Sequence, residues 1–144
     1  MRTIIRKCNQ EDYPKLVGIW EDAVRQSHKF LDEETISDIK SQLAPAYFPH
    51  VDLSVICSGD TIAGFIGLSA DKIEMLFISP EFHGRGFGTR LVSTAIGKGI
   101  RLVDVNEQNP EALEFYKRRG FKIISRDEND DAGRPFPILH LSLD

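Results

Sequence analysis

Apolar and polar residues recur along the chain with periods that divide it into short elements. Thr3 to Lys7 alternates as a strand does. Leu16, Ile19, Trp20, Ala23 and Val24 then repeat at helical spacing, which predicts a helix from about Glu11 to Ser27. Asn9-x-x-Asp12 resembles a capping arrangement at its start, and Pro14 falls in its first turn, where a missing N–H is tolerated. A polar junction from Ser27 to Asp32 leads to a second helix near Glu33 to Leu43, and Pro45 and Pro49 bracket its exit. Leu53 to Cys57 and Thr61 to Ser69, joined by Ser58-Gly59-Asp60, predict an antiparallel hairpin. Asp71 turns the chain into another apolar strand, Ile73 to Ile78. A helical pattern runs from Arg90 to Ile96, and a short strand ends at Asn106. Asn109 and Pro110 then suit the cap and first position of a helix that Gly120 stops. Lys122 to Arg126 and Ile138 to Leu143 read as strands around a charged loop, Glu128 to Pro137.

The order is therefore strand, two helices, three strands, helix, strand, helix, two strands. It predicts an α/β (α+β) chain with a mixed sheet and helices on both faces. Nothing divides residues 1–144 into more than one domain, and no repeat is visible. The net charge of −4 gives no reason to expect nucleic acid or an anionic membrane as partner. Cys8 and Cys57 make neither a metal spacing nor a disulfide framework, so no metal is expected. With no signal pattern and no long apolar span, a cytoplasmic location is the default expectation.

The most informative segment is His83-Gly84-Arg85-Gly86-Phe87-Gly88-Thr89, between a strand and a helix. Alternating glycines at a helix start let several backbone N–H groups converge, and the helix dipole adds positive potential there. Such a turn suits a phosphate or pyrophosphate. Its spacing is neither that of a P-loop nor the G-x-G-x-x-G of a dinucleotide site, which argues against a nucleotide-binding module. Taken alone, the turn is read equally well as a tight strand-to-helix connection.

A second segment, Asn109-Pro110-Glu111-Ala112-Leu113-Glu114-Phe115-Tyr116-Lys117-Arg118-Arg119-Gly120-Phe121, changes that balance. Together the two resemble the GNAT superfamily of acetyl-CoA-dependent N-acetyltransferases. Gly86 and Gly88 stand at the small positions of its R/Q-x-x-G-x-G/A signature. Asn109, Ala112, Phe115, Tyr116, Gly120 and Phe121 match its N-x-x-A-x-x-F-Y-x-x-x-G-F segment. The segments His28 to Leu31, Val105 to Asn109 and Asp131 to Pro137 resemble the small bacterial YjaB-type acetyltransferases in particular. His83 departs from the usual Arg or Gln, at a position that mainly offers its backbone N–H.

The resemblance implies a GNAT fold: a central mixed sheet of six or seven strands, splayed between the fourth and fifth. It implies acetyl-CoA as cosubstrate, with Leu76, Phe77 and Ile78 along the pantetheine and thioester. His83, Gly84, Arg85, Gly86, Phe87, Gly88 and Thr89 would surround the pyrophosphate, and Asn109 and Tyr116 would complete the site. Arg85, Arg90, Lys117, Arg118 and Arg119 can supply positive charge to an otherwise acidic chain. Acetyl transfer to an amine also needs a proton for the leaving thiolate and a neutral amine. Tyr116 is the candidate general acid, since a phenol can protonate sulfur. Asp104, Glu74 and His28 are candidate bases, and the residues alone do not choose among them. Phe30, Leu31, Tyr47, Phe48 and the Arg134-to-Pro137 loop are candidate walls of the acceptor pocket. The acceptor is an amine, on a small molecule, a peptide or a protein lysine, met in a ternary complex by a monomer or homodimer. The alternative is a non-catalytic acyl-CoA binding or sensing domain.

Overall fold

A computed structural model describes residues 2–143. Seven strands form one sheet in the order β1-β2-β3-β4-β5-β7-β6. They are β1 (Thr3–Lys7), β2 (Asp52–Ser58), β3 (Thr61–Ser69), β4 (Lys72–Ile78), β5 (Leu102–Asn106), β6 (Phe121–Asp127) and β7 (Ile138–Leu143). The helices are α1 (Tyr13–Ser27), α2 (Glu33–Gln42), α3 (Phe87–Gly97) and α4 (Pro110–Arg118). Every predicted element is present, in the predicted order.

Two boundaries move for local reasons. The first helix is preceded by a 3-10 turn, Gln10–Asp12, so that α1 begins at Tyr13. Asp12 is held there by the backbone N–H of Asn9 at 2.8 Å and by the Arg6 guanidinium at 2.9 Å. The second helix stops at Gln42, and Leu43–Tyr47 winds as a π turn. Pro45 explains this: it has no N–H for the preceding turn, and its ring crowds a regular α-helix.

The sheet carries a core on each face. Leu16, Ile19, Trp20 and Val24 of α1 pack with Ile36, Phe48, Val55 and Phe65 on one side. Leu91, Val92 and Ala95 of α3 pack with Tyr116, Phe121, Ile66 and Leu141 on the other. β2 and β3 are buried on both faces, as continuous apolar runs require. Phe48, expected at the acceptor wall, is 1% exposed and packs at a tilt on Tyr13 and edge-on against Phe65. It is a core residue, because the π turn swings it under α1.

The feature that positions the site is the join of β4 and β5. This parallel pair is hydrogen-bonded in register only at Lys72↔Leu102 and Ile73↔Val103. Beyond it the strands diverge, each held along its other edge: β4 by β3 as far as Ile78, β5 by β7 as far as Asn106. Gly64, opposite Ile78, allows the close approach on the β3 side. A Cβ there would lie 2.4 Å from Ile78 Cδ1 and 2.7 Å from the Phe77 carbonyl oxygen.

Candidate active site

The divergence of β4 and β5 opens a cleft of about 560 Å³. Its walls are the facing halves of the two strands, the turn into α3, one face of α4, and Ala23, Ser27 and His28 at the end of α1. Strand edges that meet no neighbouring strand leave peptide groups available to an extended ligand. Leu76, Phe77 and Ile78 lie along one such edge, Asp104, Val105 and Asn106 along the other.

The glycine turn ends the cleft. Gly86, at φ +78, is the N-cap of α3 and stands in the left-handed region that L side chains rarely adopt. It turns the chain so that the first N–H groups of α3, which no helical carbonyl can reach, face outward. Gly84, Gly86, Gly88 and Thr89 all border the cleft. Gly88 meets the Phe115 ring: a Cβ would stand 3.3 Å from Phe115 Cζ. Arg85 alone of the predicted loop residues does not border the cleft; its guanidinium sits over the Phe82 ring at 5.2 Å. His83 does more than offer backbone, since its Nε2–H donates to the Ile78 carbonyl at 3.2 Å. The ring ties the start of the turn to the end of β4.

A cation braces the two helices beside this turn. Arg119 stacks on Phe115 at 3.8 Å, donates to the Phe115 carbonyl at 2.7 Å, and donates to the Thr89 hydroxyl in the first turn of α3. Its Nε is buried without a partner among the described residues. Of the basic residues near the two motifs, Arg119 is the one on the cleft wall. Asn109 has the expected cap role, accepting from the Ala112 N–H at 3.3 Å, and is itself buried on the cleft.

Tyr116 is 6% exposed and still reaches the cleft. Its ring is fixed edge-on between Phe115 and Phe121, at 5.1 and 5.5 Å. Burial pushes the phenol above its ordinary value, only partly opposed by the Arg119 charge. The group therefore keeps its proton across the neutral range, which is the state a general acid must start from.

The three candidate bases differ sharply in surroundings. Glu74 is exposed on β4, on the cleft wall. Asp104 has both oxygens engaged, Oδ2 by Lys72 Nζ at 2.8 Å and Oδ1 by His140 Nδ1 at 2.7 Å. His140 reaches Asp127 with its other nitrogen at 2.7 Å. A ring that donates to two carboxylates carries two protons, and its pKa is raised by the bonds to Asp127 and Asp104. This chain of charges crosses β4, β5, β7 and β6 and ties the diverging strands below the cleft. His28 is half-buried, and burial alone lowers its pKa. Its ring lies 5.4 Å from Phe30, which meets Phe136 at 5.3 Å. Phe30, Leu31, Tyr47 and the Arg134-to-Pro137 loop stand behind the cleft rather than on it.

Sequence reasoning missed three contributors. Ser27 and Ala23 carry no motif, and the Lys72–Asp104–His140–Asp127 chain depends on strand register that one sequence does not specify. The only available signal was the alternation that puts Asp104 and His140 on one face of neighbouring strands.

A splayed sheet with a glycine-wound helix start on one side and a buried phenol between its walls makes a cleft chemically suited to acyl transfer. Known proteins agree. The profile of the Acetyltransferase (GNAT) domain matches residues 49–123. The chain is 37% identical to the peptidyl-lysine N-acetyltransferase YjaB of Salmonella typhimurium, over 95% of this chain and 95% of the relative. The solution structure of apo YjaB from Escherichia coli superposes with a TM-score of 0.90 at 36% identity, covering 99% and 98% of the two chains. The PaiA N-acetyltransferase of Thermoplasma acidophilum, solved in complex with coenzyme A, shares the fold at a TM-score of 0.74 and 21% identity, over 97% and 98%. The chain belongs to the GNAT acetyltransferase family and is an N-acetyltransferase.

Proposed function

We propose that this enzyme transfers the acetyl group of acetyl-CoA directly to the ε-amine of a peptide or protein lysine, in a ternary complex in the cytoplasm. The observation that carries the proposal is the convergence of three parts on one cleft: open strand edges, the N-terminus of α3, and Tyr116. The lysine acceptor is supported by the activity named for the YjaB relative at 37% identity.

In this reading the pyrophosphate lies against the backbone of Gly84 to Thr89, with His83 and Phe87 flanking it and Arg85 at its rim. The pantetheine arm runs as an added strand along Leu76, Phe77 and Ile78, and Asn109 closes the opposite wall. The thioester then stands near Tyr116. The amine attacks the thioester carbon, the C–S bond breaks, and the Tyr116 phenol gives its proton to the sulfur. Asp104 serves as a strand tie, since its oxygens are already held by Lys72 and His140. Glu74 is placed to attract a cationic acceptor to the mouth of the cleft.

Mass spectrometry of a peptide panel tests the acceptor. Incubation with acetyl-CoA should add about 42 Da, an acetyl group less the hydrogen it replaces, to peptides with an internal lysine, and leave N-acetylated, lysine-free peptides unchanged. Acetylation confined to small amines or peptide N-termini would contradict the lysine assignment.

A further inference from the structure

Two bonds at the end of α1 fix the protonation pattern of the histidine that faces the cleft. Ser27 Oγ lies 2.8 Å from the Ala23 carbonyl oxygen and 2.7 Å from His28 Nδ1. A carbonyl only accepts, so the single hydroxyl proton of Ser27 is committed to Ala23. Ser27 Oγ must then accept from His28, and Nδ1 carries the ring proton. In the neutral imidazole the other nitrogen, Nε2, is left with a bare lone pair. Phe30 lies at a tilt against the ring, and Phe136 backs Phe30 edge-on. His28, Ser27 and Ala23 all border the cleft that holds Tyr116.

We infer that His28 Nε2 receives the proton of the acceptor ammonium and that Ser27 is the positioning residue that keeps this nitrogen unprotonated. The inference rests on the acetyl-transfer reading above. The ammonium gives one proton to Nε2, and the neutral amine attacks the thioester carbon. The C–S bond breaks, and the sulfur leaves with the Tyr116 proton. The second proton that the nitrogen loses in becoming an amide returns to Tyr116 through solvent, and His28 releases its own to solvent. One ammonium and one thioester give one amide, one thiol and one free proton.

The surroundings suit this role. The charged groups on the elements around the ring are Arg25 in the last turn of α1, Lys29 and Asp32 just after it, Glu74, Asp104, Glu111 and Arg119 on the cleft wall, and Arg134 in the loop that carries Phe136. Arg134 is paired with Asp38 and Asp130. None of these shifts the imidazole, whose one perturbation is burial, and burial favours the neutral form. His28 is thus ready to accept a proton at neutral pH, when Asp104 is already held by two cations.

The test combines pH–rate profiles with a spectrum that does not depend on turnover. With acetyl-CoA and a lysine peptide, His28→Gln should lower kcat/KM by about 10²-fold and remove the acidic limb of the profile. Ser27→Ala should lower it about fivefold, the effect of one lost hydrogen bond, and Ser27→Thr should restore it. Acetyl-CoA affinity by titration calorimetry should be unchanged in all three. A retained acidic limb in His28→Gln, or a Ser27→Thr variant as impaired as Ser27→Ala, would overturn the inference. In the wild-type protein labelled with 15N-histidine, the His28 imidazole should show a protonated Nδ1 and a bare Nε2 at neutral pH. A protonated Nε2 overturns the inference even if the enzyme is active. A wild-type protein that acetylates no amine counts against the proposed function, and the spectrum still decides the tautomer.

Discussion

The two ends of the cleft are built in different ways. The end formed by α3 and α4 is made largely of backbone: the N–H groups that follow Gly86, the open edge of β4, and a helix start fixed by Asn109. The end at the α1–α2 junction, where Ala23, Ser27 and His28 border the cleft, is backed by side chains that approach from far apart in sequence. Phe30 meets Phe136, and Arg134 reaches Asp38 across 96 positions. A cradle made of main chain needs a fixed pattern of glycines and caps, and it serves any chain that binds the same group. A wall made of side chains can change with its substrate without disturbing the fold. On the proposed function, binding of the donor and choice of the acceptor should therefore be separable.

Four substitutions probe that separation. Tyr116→Phe, between the two ends, should have the largest effect, a fall in kcat of about 10²- to 10⁴-fold with acetyl-CoA affinity nearly unchanged. Stopped assays of thiol release beside calorimetric titration measure the two quantities, and unaffected turnover would remove Tyr116 from the mechanism. Gly86→Ala acts on the backbone end alone. Forcing an L residue to hold φ +78 costs about 1–2 kcal/mol. The KM for acetyl-CoA should rise by roughly tenfold while that for the lysine peptide stays put.

Phe136→Ala acts on the other end. Losing one aromatic contact behind His28 is worth about 0.5–1.5 kcal/mol, so the KM for the lysine peptide should rise several-fold with that for acetyl-CoA unchanged. If both constants move together, the two ends are not separable. The smallest effect belongs to the sheet beneath. His140 is bound by Asp104 and Asp127, and its raised pKa means that the protonated ring stabilises the fold. That stabilisation is fully present below the ordinary histidine value near 6.5 and is lost as pH rises through the raised one. The stability difference between wild type and His140→Gln, followed by thermal unfolding, should be greatest at acid pH, on the order of 1 kcal/mol, and should fade at alkaline pH. An unchanging difference would show that the ring is held by packing and not by charge. His28 has the opposite sign: its lowered pKa makes the fold lose stability as pH falls through that value.

The same contrast explains what was legible in the sequence. Strands β1, β3 and β7 fall where alternation and turn residues put them, because each is bounded by residues with strong local preferences. The α4 segment was readable to the residue, since Asn109, Pro110 and Gly120 each meet a backbone requirement. All the predicted catalytic and cofactor-binding residues except Arg85 border one cleft, because the motifs encode backbone shape. The acceptor end was harder. An aromatic residue at position 48 is core or pocket wall according to how one π turn winds, and nothing local decides it. Asp104 looked like a free carboxylate because its partners, Lys72 and His140, lie on strands paired only after folding. Ser27 carries no signature at all, although it fixes which nitrogen of His28 is bare.

The central claim is that this cleft holds acetyl-CoA and moves its acetyl group to an amine. Titration of the purified protein with acetyl-CoA, followed by a free-thiol assay with a lysine peptide, tests it most directly. Saturable binding, with thiol released in step with acetyl-lysine formed, is the predicted result. Binding without thiol release in the presence of the peptide would mark the cleft as a site that holds acetyl-CoA without using it, and would contradict the account.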